Sequence, residues 1–200
     1  MRKAEEIEDV PPSYYRIDQE APEDLDRAIL AMGCFWGVEA LFGGLEEVYR
    51  TRVGYTGGEK DHPTYRSLGN HTETVMLDFD PDKISYRELL EIFFENHNHR
   101  RKSKSQYASK IFFVDEEQRK TVEKVKPEGS ETLIESKEIF WLAEDYHQKY
   151  RLRGTREAEK ILEHYDEEEF INSTLAAKLN AEKAGKLQHR IDFDLQLGNN

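Results

Sequence analysis

Residues 28–37 have the sequence AILAMGCFWG and join a short apolar run to a new helix. The run 28–31 has the length and apolar character of a buried strand, and it ends at Gly33. From Gly37 onward, apolar residues recur at helical spacing: Val38, Leu41, Phe42 and Leu45. The stretch therefore predicts a strand-to-helix junction, with a helix that begins just after Cys34.

Further strands and helices follow this junction along the chain. Strands are predicted at 49–55, 75–79, 111–114 and 132–136, and the alternation over 75–79 indicates a half-buried strand. Helices are predicted after the capping box Ser85–Glu88, after Asp115, over 143–153 and beyond 155. Strands mixed with helices indicate an α+β or α/β layered domain, and these patterns leave the strand order open.

The composition indicates one globular domain with a strongly ionised surface. The 200 residues are 37% hydrophobic and 35% charged, and the net charge is −12. Such a charge argues against general affinity for nucleic acid or anionic lipid, because both would repel the chain. No stretch approaches the roughly 20 apolar residues that a membrane-spanning helix needs. We therefore expect neither a nucleic-acid partner nor a membrane partner.

The chain divides into three predicted parts. Residues 1–26 are rich in charge and proline and are expected to form a loosely ordered N-terminal arm. Residues 27–154 are expected to form the catalytic domain, and 155–200 a helical extension packed on that domain. The N-terminus lacks the apolar segment of a secretory signal, and the chain has one cysteine. We therefore expect a cytoplasmic location, where thiols stay reduced, and no internal disulfide.

The flanks of Cys34 favour thiol chemistry. A free thiol has a pKa of about 8.5, so only roughly 3% of it is ionised at neutral pH. A helix N-terminus favours the thiolate, and we therefore predict a lowered pKa for Cys34. The neighbouring glycines allow close approach of a substrate, and Phe35 and Trp36 offer apolar walls. A lone cysteine in an arbitrary protein is more often a small core residue, but this pattern favours chemistry.

The segment from about residue 28 to 153 resembles the A-type peptide methionine sulfoxide reductases. The motif 33–37, GCFWG, matches the signature of this family. Seven further stretches match the family in the same order: 53–58, 63–65, 71–73, 84–86, 95–97, 105–109 and 143–148. The resemblance implies an α+β fold: a two-layer α/β sandwich with a mixed sheet and a ferredoxin-like core, plus C-terminal helices.

The resemblance also implies the first chemical step. Cys34 would attack the sulfoxide sulfur, methionine would leave, and Cys34 would become a sulfenic acid. Glu73 matches the acid of the family, and cleavage of the sulfur–oxygen bond needs a proton on the departing oxygen. Burial beside Phe35 and Trp36 would raise the pKa of Glu73 and keep it protonated.

Four aromatic residues complete the site that the resemblance implies. Tyr65 and Tyr107 match two tyrosines that hydrogen-bond the sulfoxide oxygen, and a phenol donates without becoming charged. Phe35 and Trp36 would hold the S-methyl group. Separate enzymes reduce the two sulfoxide epimers, and the resemblance implies the S form, free or peptide-bound, and thus repair of oxidised proteins.

Two departures from the family pattern affect this expectation. Many members have an aspartate five residues before the tyrosine that Tyr107 matches, whereas this chain has Lys102, in a loop that is shortened over 99–105. Many relatives also carry further cysteines that resolve the sulfenic acid. Because this chain has none, an external thiol would regenerate Cys34: thioredoxin, glutaredoxin or glutathione. We expect no bound cofactor or metal, and a monomer.

Other interpretations remain open at this point. His97 and His99 could bind a transition metal, with Glu95 or His71 as a further ligand, although no second cysteine or spaced His/Glu pair completes such a site. The basic run 100–102 is more typical of a solvated loop than of a nucleic-acid site.

Two alternatives concern Cys34 itself. A Cys–His hydrolase would use Cys34 as the acylated nucleophile, with His71 or His147 as its base, and would need no reductant. A binding module would keep the aromatic cage for oxidised methionine but would have lost turnover, with Lys102 as the damaging change.

Overall fold

A computed structural model describes residues 1–6, 12–187, 191–193 and 196. Its strands are β1 (Asp26–Met32), β2 (Val48–Thr56), β3 (Thr72–Phe79), β4 (Ser109–Phe113), β5 (Leu133–Ser136) and β6 (Trp141–Leu142). Its α-helices are α1 (Arg16–Gln19), α2 (Phe35–Gly43), α3 (Tyr86–Glu95), α4 (Glu116–Val125), α5 (Arg156–Leu162), α6 (Glu167–Asn172) and α7 (Thr174–Lys183). None of the helices in the described ranges is long and apolar enough to cross a membrane.

The six strands form one mixed sheet in the order β5-β4-β1-β3-β2-β6. From β4 to β6 each strand is antiparallel to the next one in this order, whereas the edge strand β5 pairs with β4 in parallel. Helix α2 connects β1 to β2 across the intervening β3, and α3 connects β3 to β4 across β1. Each of these is a split β-α-β unit, in which a helix joins two strands that have another strand between them, and two such units form the ferredoxin-like arrangement. The predicted α+β fold with a mixed sheet and C-terminal helices is confirmed.

The central strand β3 is more deeply buried than its sequence pattern predicts. All eight of its residues are buried, so the prediction of a half-buried strand was wrong. On one face, Val75 and Leu77 belong to the main hydrophobic core. On the other face, Met76 belongs to a second cluster that includes Phe140 and Ala4. The alternation failed as a guide because segments distant in sequence cover both faces of the sheet.

The predicted helix over 143–153 is also wrong. The structure has a single 3-10 turn there, Asp145–His147, followed by Lys149 with a backbone φ of 52°. The Gln148 side chain accepts from the Val53 N–H (3.0 Å) and donates to the Val53 carbonyl (2.8 Å). The Lys149 N–H donates to the Glu39 carboxylate (3.0 Å). These tertiary hydrogen bonds replace the ones that a helix would form.

Part of the segment that was predicted to be a loosely ordered arm packs against the C-terminal helices. Tyr15 is fully buried, and its hydroxyl donates to the Lys160 carbonyl (3.1 Å). Asp18 is buried and accepts from the Tyr165 hydroxyl (2.9 Å) and from the Thr174 N–H (2.5 Å). The division at 26 and 154 stays a prediction.

Candidate active site

Cys34 lies at the N-cap position of α2, at the end of β1. The chain reaches it through Gly33, whose φ of 108° lies in the region that favours glycine. A Cβ added to Gly33 or Gly37 would have no heavy atom within 4 Å, so both flanks of Cys34 are open. The residue is exposed and lines a cleft of about 340 Å³ that also contains Tyr107 and Arg101.

The pKa of Cys34 shifts opposite to the prediction. Burial of the sulfur raises the pKa of the Cys34 thiol, and the nearby Glu73 carboxylate raises it further. The N–H groups of Trp36 and Gly37 and the charge of Arg151 lower the pKa, but they do not outweigh burial. The prediction of a lowered pKa was therefore wrong, because it considered the helix end and not the desolvation of the sulfur.

The carboxyl group of Glu73 lies directly behind the nucleophile. It is 1% exposed and accepts hydrogen bonds from the Phe35 N–H (3.1 Å) and from the Gln106 side-chain amide (2.7 Å). Burial raises the pKa of Glu73, and these two hydrogen bonds only partly offset the increase. The direction of the shift is the one expected from the sequence. The site thus holds a carboxyl that favours its proton, next to the residue that follows Cys34.

Tyr107 lines the cleft of Cys34, and Tyr65 lies next to Tyr107. They are 38% and 37% exposed, and their phenol groups share a hydrogen bond. Burial raises the pKa of Tyr107 to about 12, and the hydrogen bond to Tyr65 and the charges of Glu73 and Cys34 act in the same direction. A phenol with this pKa keeps its proton at neutral pH, so Tyr107 is available as a neutral hydrogen-bond donor.

The two aromatic residues after Cys34 differ in exposure. Phe35 is 1% exposed and therefore forms the base of the site, whereas Trp36 is partly exposed. The Trp36 ring stacks on Tyr150 at 3.7 Å with an interplanar angle of 6°, and its N–H donates to His147 Nδ1 (3.1 Å). Trp36 therefore presents one fixed apolar face to the opening.

A polar network supports this arrangement, and sequence reasoning did not find it. Because Trp36 donates to His147 Nδ1, the imidazole carries its proton on Nε2, which lies 3.9 Å from the Glu144 carboxylate. Burial lowers the pKa of His147 and so favours this neutral form. Glu144 also accepts from the Tyr55 hydroxyl (2.9 Å) and from the Tyr65 N–H (3.0 Å).

One signal for these supporting residues was present in the sequence. Glu144 and His147 lie in the matched stretch 143–148, and Gln106 lies in 105–109. Nothing in the spacing of these stretches shows that their side chains would meet Trp36 or Glu73. Their contacts join residues separated by 33 to 111 positions in the chain.

The structure places Lys102 away from this cluster. Its side chain is 84% exposed and forms an ion pair with Glu131 (3.6 Å). The hydrogen bonds that hold Glu73 come from Phe35 and Gln106 instead. The lysine at this position therefore leaves the contacts of the buried carboxyl intact, which weakens the case for a damaged site.

The histidines of the alternative interpretations are occupied elsewhere. His71 is buried, and its Nε2 contacts the Lys60 carbonyl (2.8 Å), while His147 is bonded to Trp36. His97 contacts the Phe93 carbonyl (2.8 Å) and the Ser109 hydroxyl (2.7 Å) with its two ring nitrogens. Among the described residues, no group of three histidine, cysteine or acidic side chains is arranged to hold a metal ion.

Comparisons with known proteins agree with the geometry of this site. Residues 26–179 match the family model described as peptide methionine sulfoxide reductase. A Drosophila melanogaster peptide methionine sulfoxide reductase is 45% identical over 168 residues, which cover 79% of this chain and 68% of the relative. The MsrA of Nocardia farcinica is 42% identical over 145 residues, 65% of this chain and 85% of that protein.

Two solved structures are also similar. Reduced Mxr1 from Saccharomyces cerevisiae has a TM-score of 0.59 and 28% identity, covering 68% of this chain and 89% of that one. Methionine sulfoxide reductase A of Corynebacterium diphtheriae has a TM-score of 0.58 and 26% identity, covering 72% and 82%. The sequence and the fold therefore point to the same family.

Proposed function

This chain belongs to the peptide methionine sulfoxide reductase family as a peptide-methionine (S)-S-oxide reductase, and on that basis we propose that Cys34 is its nucleophile and that an external thiol regenerates it. One observation carries the proposal. The only cysteine of the sequence is exposed at the start of α2, and the buried carboxyl of Glu73 binds the N–H of the next residue, 3.1 Å away.

The first step transfers the oxygen atom from substrate to enzyme. The sulfur of Cys34 attacks the sulfoxide sulfur and bonds to it. The oxygen then moves to the sulfur of Cys34 while the sulfur–sulfur bond and the sulfur–oxygen bond of the substrate break, and methionine is released. The oxygen remains on Cys34 as a sulfenic acid. The proton that the Cys34 thiol loses balances the proton that the oxygen gains, so the step consumes no external proton.

Glu73 supplies the proton for the departing oxygen. Burial raises the pKa of its carboxyl and so favours the protonated form, and its position is fixed by Phe35 and Gln106. The charge of Glu73 is one cause of the raised pKa of Cys34, so a protonated Glu73 makes the thiol easier to ionise. Once Glu73 has given its proton to the oxygen, its carboxylate takes up the proton that the Cys34 thiol loses, so Glu73 ends the step protonated again.

The remaining predicted residues position the substrate. Tyr65 and Tyr107 donate hydrogen bonds to the sulfoxide oxygen as neutral phenols, since the pKa of Tyr107 lies far above neutral pH. The fixed face of Trp36 packs against the S-methyl group, and Phe35 closes the base of the pocket. Apolar contact on one side and phenol donors on the other allow the site to distinguish the S-methyl group from the sulfoxide oxygen.

Regeneration uses two equivalents of an external thiol. The first thiol attacks the Cys34 sulfenic acid, releases water and forms a mixed disulfide, and a second thiol releases Cys34 and leaves as a disulfide. Thioredoxin, glutaredoxin and glutathione are the candidate classes, and none of these steps requires a bound cofactor. A recycling step of this kind suits a reducing compartment such as the cytoplasm.

The proposal is tested by single-turnover measurements without reductant. The reduced protein should convert one equivalent of the S epimer per Cys34, leave the R epimer unchanged, and then react with dimedone at Cys34. The Cys34→Ser variant should do neither. Dithiothreitol should restore multiple turnovers, and a comparison of free and peptide-bound substrate would give the preference. Conversion of many equivalents without any thiol, or conversion by Cys34→Ser, would overturn the proposal.

A further inference from the structure

A second groove, of about 320 Å³, runs along α2 at Gly37 and Ala40. We call it the basic groove. Its lining contains three cations and three small residues: Gly37, Ala40, Arg151, Lys183, Ala184 and Lys186. Gly37 and Ala40 are three positions apart and therefore share one face of α2, one turn from Cys34.

Among the described residues, two of the three cations in the basic groove have no acidic partner. Lys183 forms an ion pair with Glu157 (2.7 Å). Within the described ranges, no carboxylate lies at ion-pair distance from Arg151 or Lys186. This is unusual for a chain whose net charge is −12. The basic groove is thus a local positive region on a protein whose net charge is negative.

Arg151 connects the basic groove to the site. Its guanidinium lies over the ring of Tyr150 (5.9 Å), and Tyr150 stacks on Trp36. The charge of Arg151 also acts on the Cys34 thiol and lowers its pKa. The end of the groove at Gly37 is open, since a Cβ there would have no heavy atom within 4 Å. The groove thus begins one helical turn from Cys34, at a position where no side chain fills the space.

We propose that the basic groove binds the carboxylates of a small anionic thiol of the glutathione type and places its sulfhydryl against the oxidised Cys34. Glutathione carries two carboxylates, which match the two unpaired cations, and its net negative charge would otherwise be repelled by the chain. The groove has the volume of a small-molecule site rather than the area of a protein interface. This inference depends on the proposed function, because it needs a sulfenic acid on Cys34.

The reaction in the basic groove balances with glutathione alone. The first glutathione thiol attacks the sulfur of the Cys34 sulfenic acid, a sulfur–sulfur bond forms, and water leaves with the sulfenic oxygen and the thiol proton. A second glutathione attacks the bound glutathione sulfur. Cys34 regains its thiol, and oxidised glutathione is released.

The test compares three thiols on one prepared state of the protein. The Cys34 sulfenic acid is first formed by a single turnover with excess sulfoxide removed. Its reduction is then followed with glutathione, with glutathione diethyl ester and with dithiothreitol. Glutathione should react about 3–10-fold faster than its ester, a ratio that falls with added salt, because two exposed charge pairs contribute modestly and are screened.

Variants show whether the groove is responsible for this preference. In the double variant Arg151→Gln/Lys186→Gln, the rate ratio of glutathione to dithiothreitol should fall by the same 3–10-fold. The matched variant Lys124→Gln removes an exposed charge on α4, outside the groove, and should keep the native ratio. Using a ratio corrects for any change in the intrinsic reactivity of Cys34, and unfolding curves check that the variants are folded.

The outcomes separate this inference from the proposed function. Equal rates with glutathione and its ester would overturn the inference that the groove binds glutathione. An unchanged ratio of the glutathione rate to the dithiothreitol rate in the double variant would do the same. The inference would also be overturned if a protein thiol such as thioredoxin regenerated Cys34 much faster than glutathione does, at a rate that neither substitution changes. If no methionine forms before any thiol is added, the proposed function has failed instead.

Discussion

Replacement of Lys149 by methionine should destabilise the protein strongly, because it breaks an ion pair with no solvent contact. The Lys149 ammonium and the Glu39 carboxylate are both fully buried, 3.0 Å apart. The ammonium also donates to the Thr51 carbonyl and to the Ile171 carbonyl (3.0 Å). Lys149→Met would leave the Glu39 charge uncompensated and remove the donor from both carbonyls.

The expected loss is about 3–5 kcal/mol, the range for breaking a buried ion pair by removing one partner. That is a large part of the roughly 5–15 kcal/mol that stabilises a typical domain. Urea unfolding measures the loss. Lys183→Met is the matched control, since it removes a lysine from the solvent-accessible pair with Glu157 and should cost at most about 1 kcal/mol.

A double variant isolates the cause. Glu39→Gln/Lys149→Met contains no buried charge, so it should be less destabilised than Lys149→Met alone. A loss below about 1 kcal/mol for Lys149→Met would refute the reasoning. A double variant that is no more stable than Lys149→Met would show that the uncompensated charge is not the dominant cost.

Three further predictions follow from the site and from the N-terminal contacts. Glu73→Gln keeps the size of the side chain but removes the acidic proton, so single-turnover reduction should slow by about 10²–10⁴-fold. An unchanged rate would contradict the proton-donor role of Glu73. Burial lowers the pKa of His147, so the unfolded chain gains a proton first and stability should fall as the pH drops through about 6.5. Unfolding curves at pH 7.5 and 5.5 should show a smaller drop for His147→Gln, and an equal drop would exclude His147 as a contributor. Asp18→Ala leaves four buried donors without their acceptor and should lower the free energy of unfolding in urea by about 2–3 kcal/mol. A loss below about 0.5 kcal/mol would mean that residues 13–20 are not held to α7.

Local patterns in the sequence were sufficient wherever the deciding interaction spans only a few residues. The strand-to-helix junction at Cys34 lies where the glycines and the apolar spacing predict it. The capping box Ser85–Glu88 is formed by hydrogen bonds across three residues, and the Asp115 side chain accepts from the Gln118 N–H in the same way. The matched motifs also identified the family, while the roles of Cys34 and Glu73 stay proposals.

The tertiary structure alone decided the features that depend on distant contacts. Residues 143–153 avoid a helix because Gln148 and Lys149 bond to Val53 and Glu39, about 100 positions earlier in the chain. The pKa of Cys34 is raised by desolvation and by the approach of Glu73 from another strand, neither of which the helix N-terminus reveals. Burial and long-range electrostatics arise only when the chain is folded, so patterns of neighbouring residues in the sequence do not predict them.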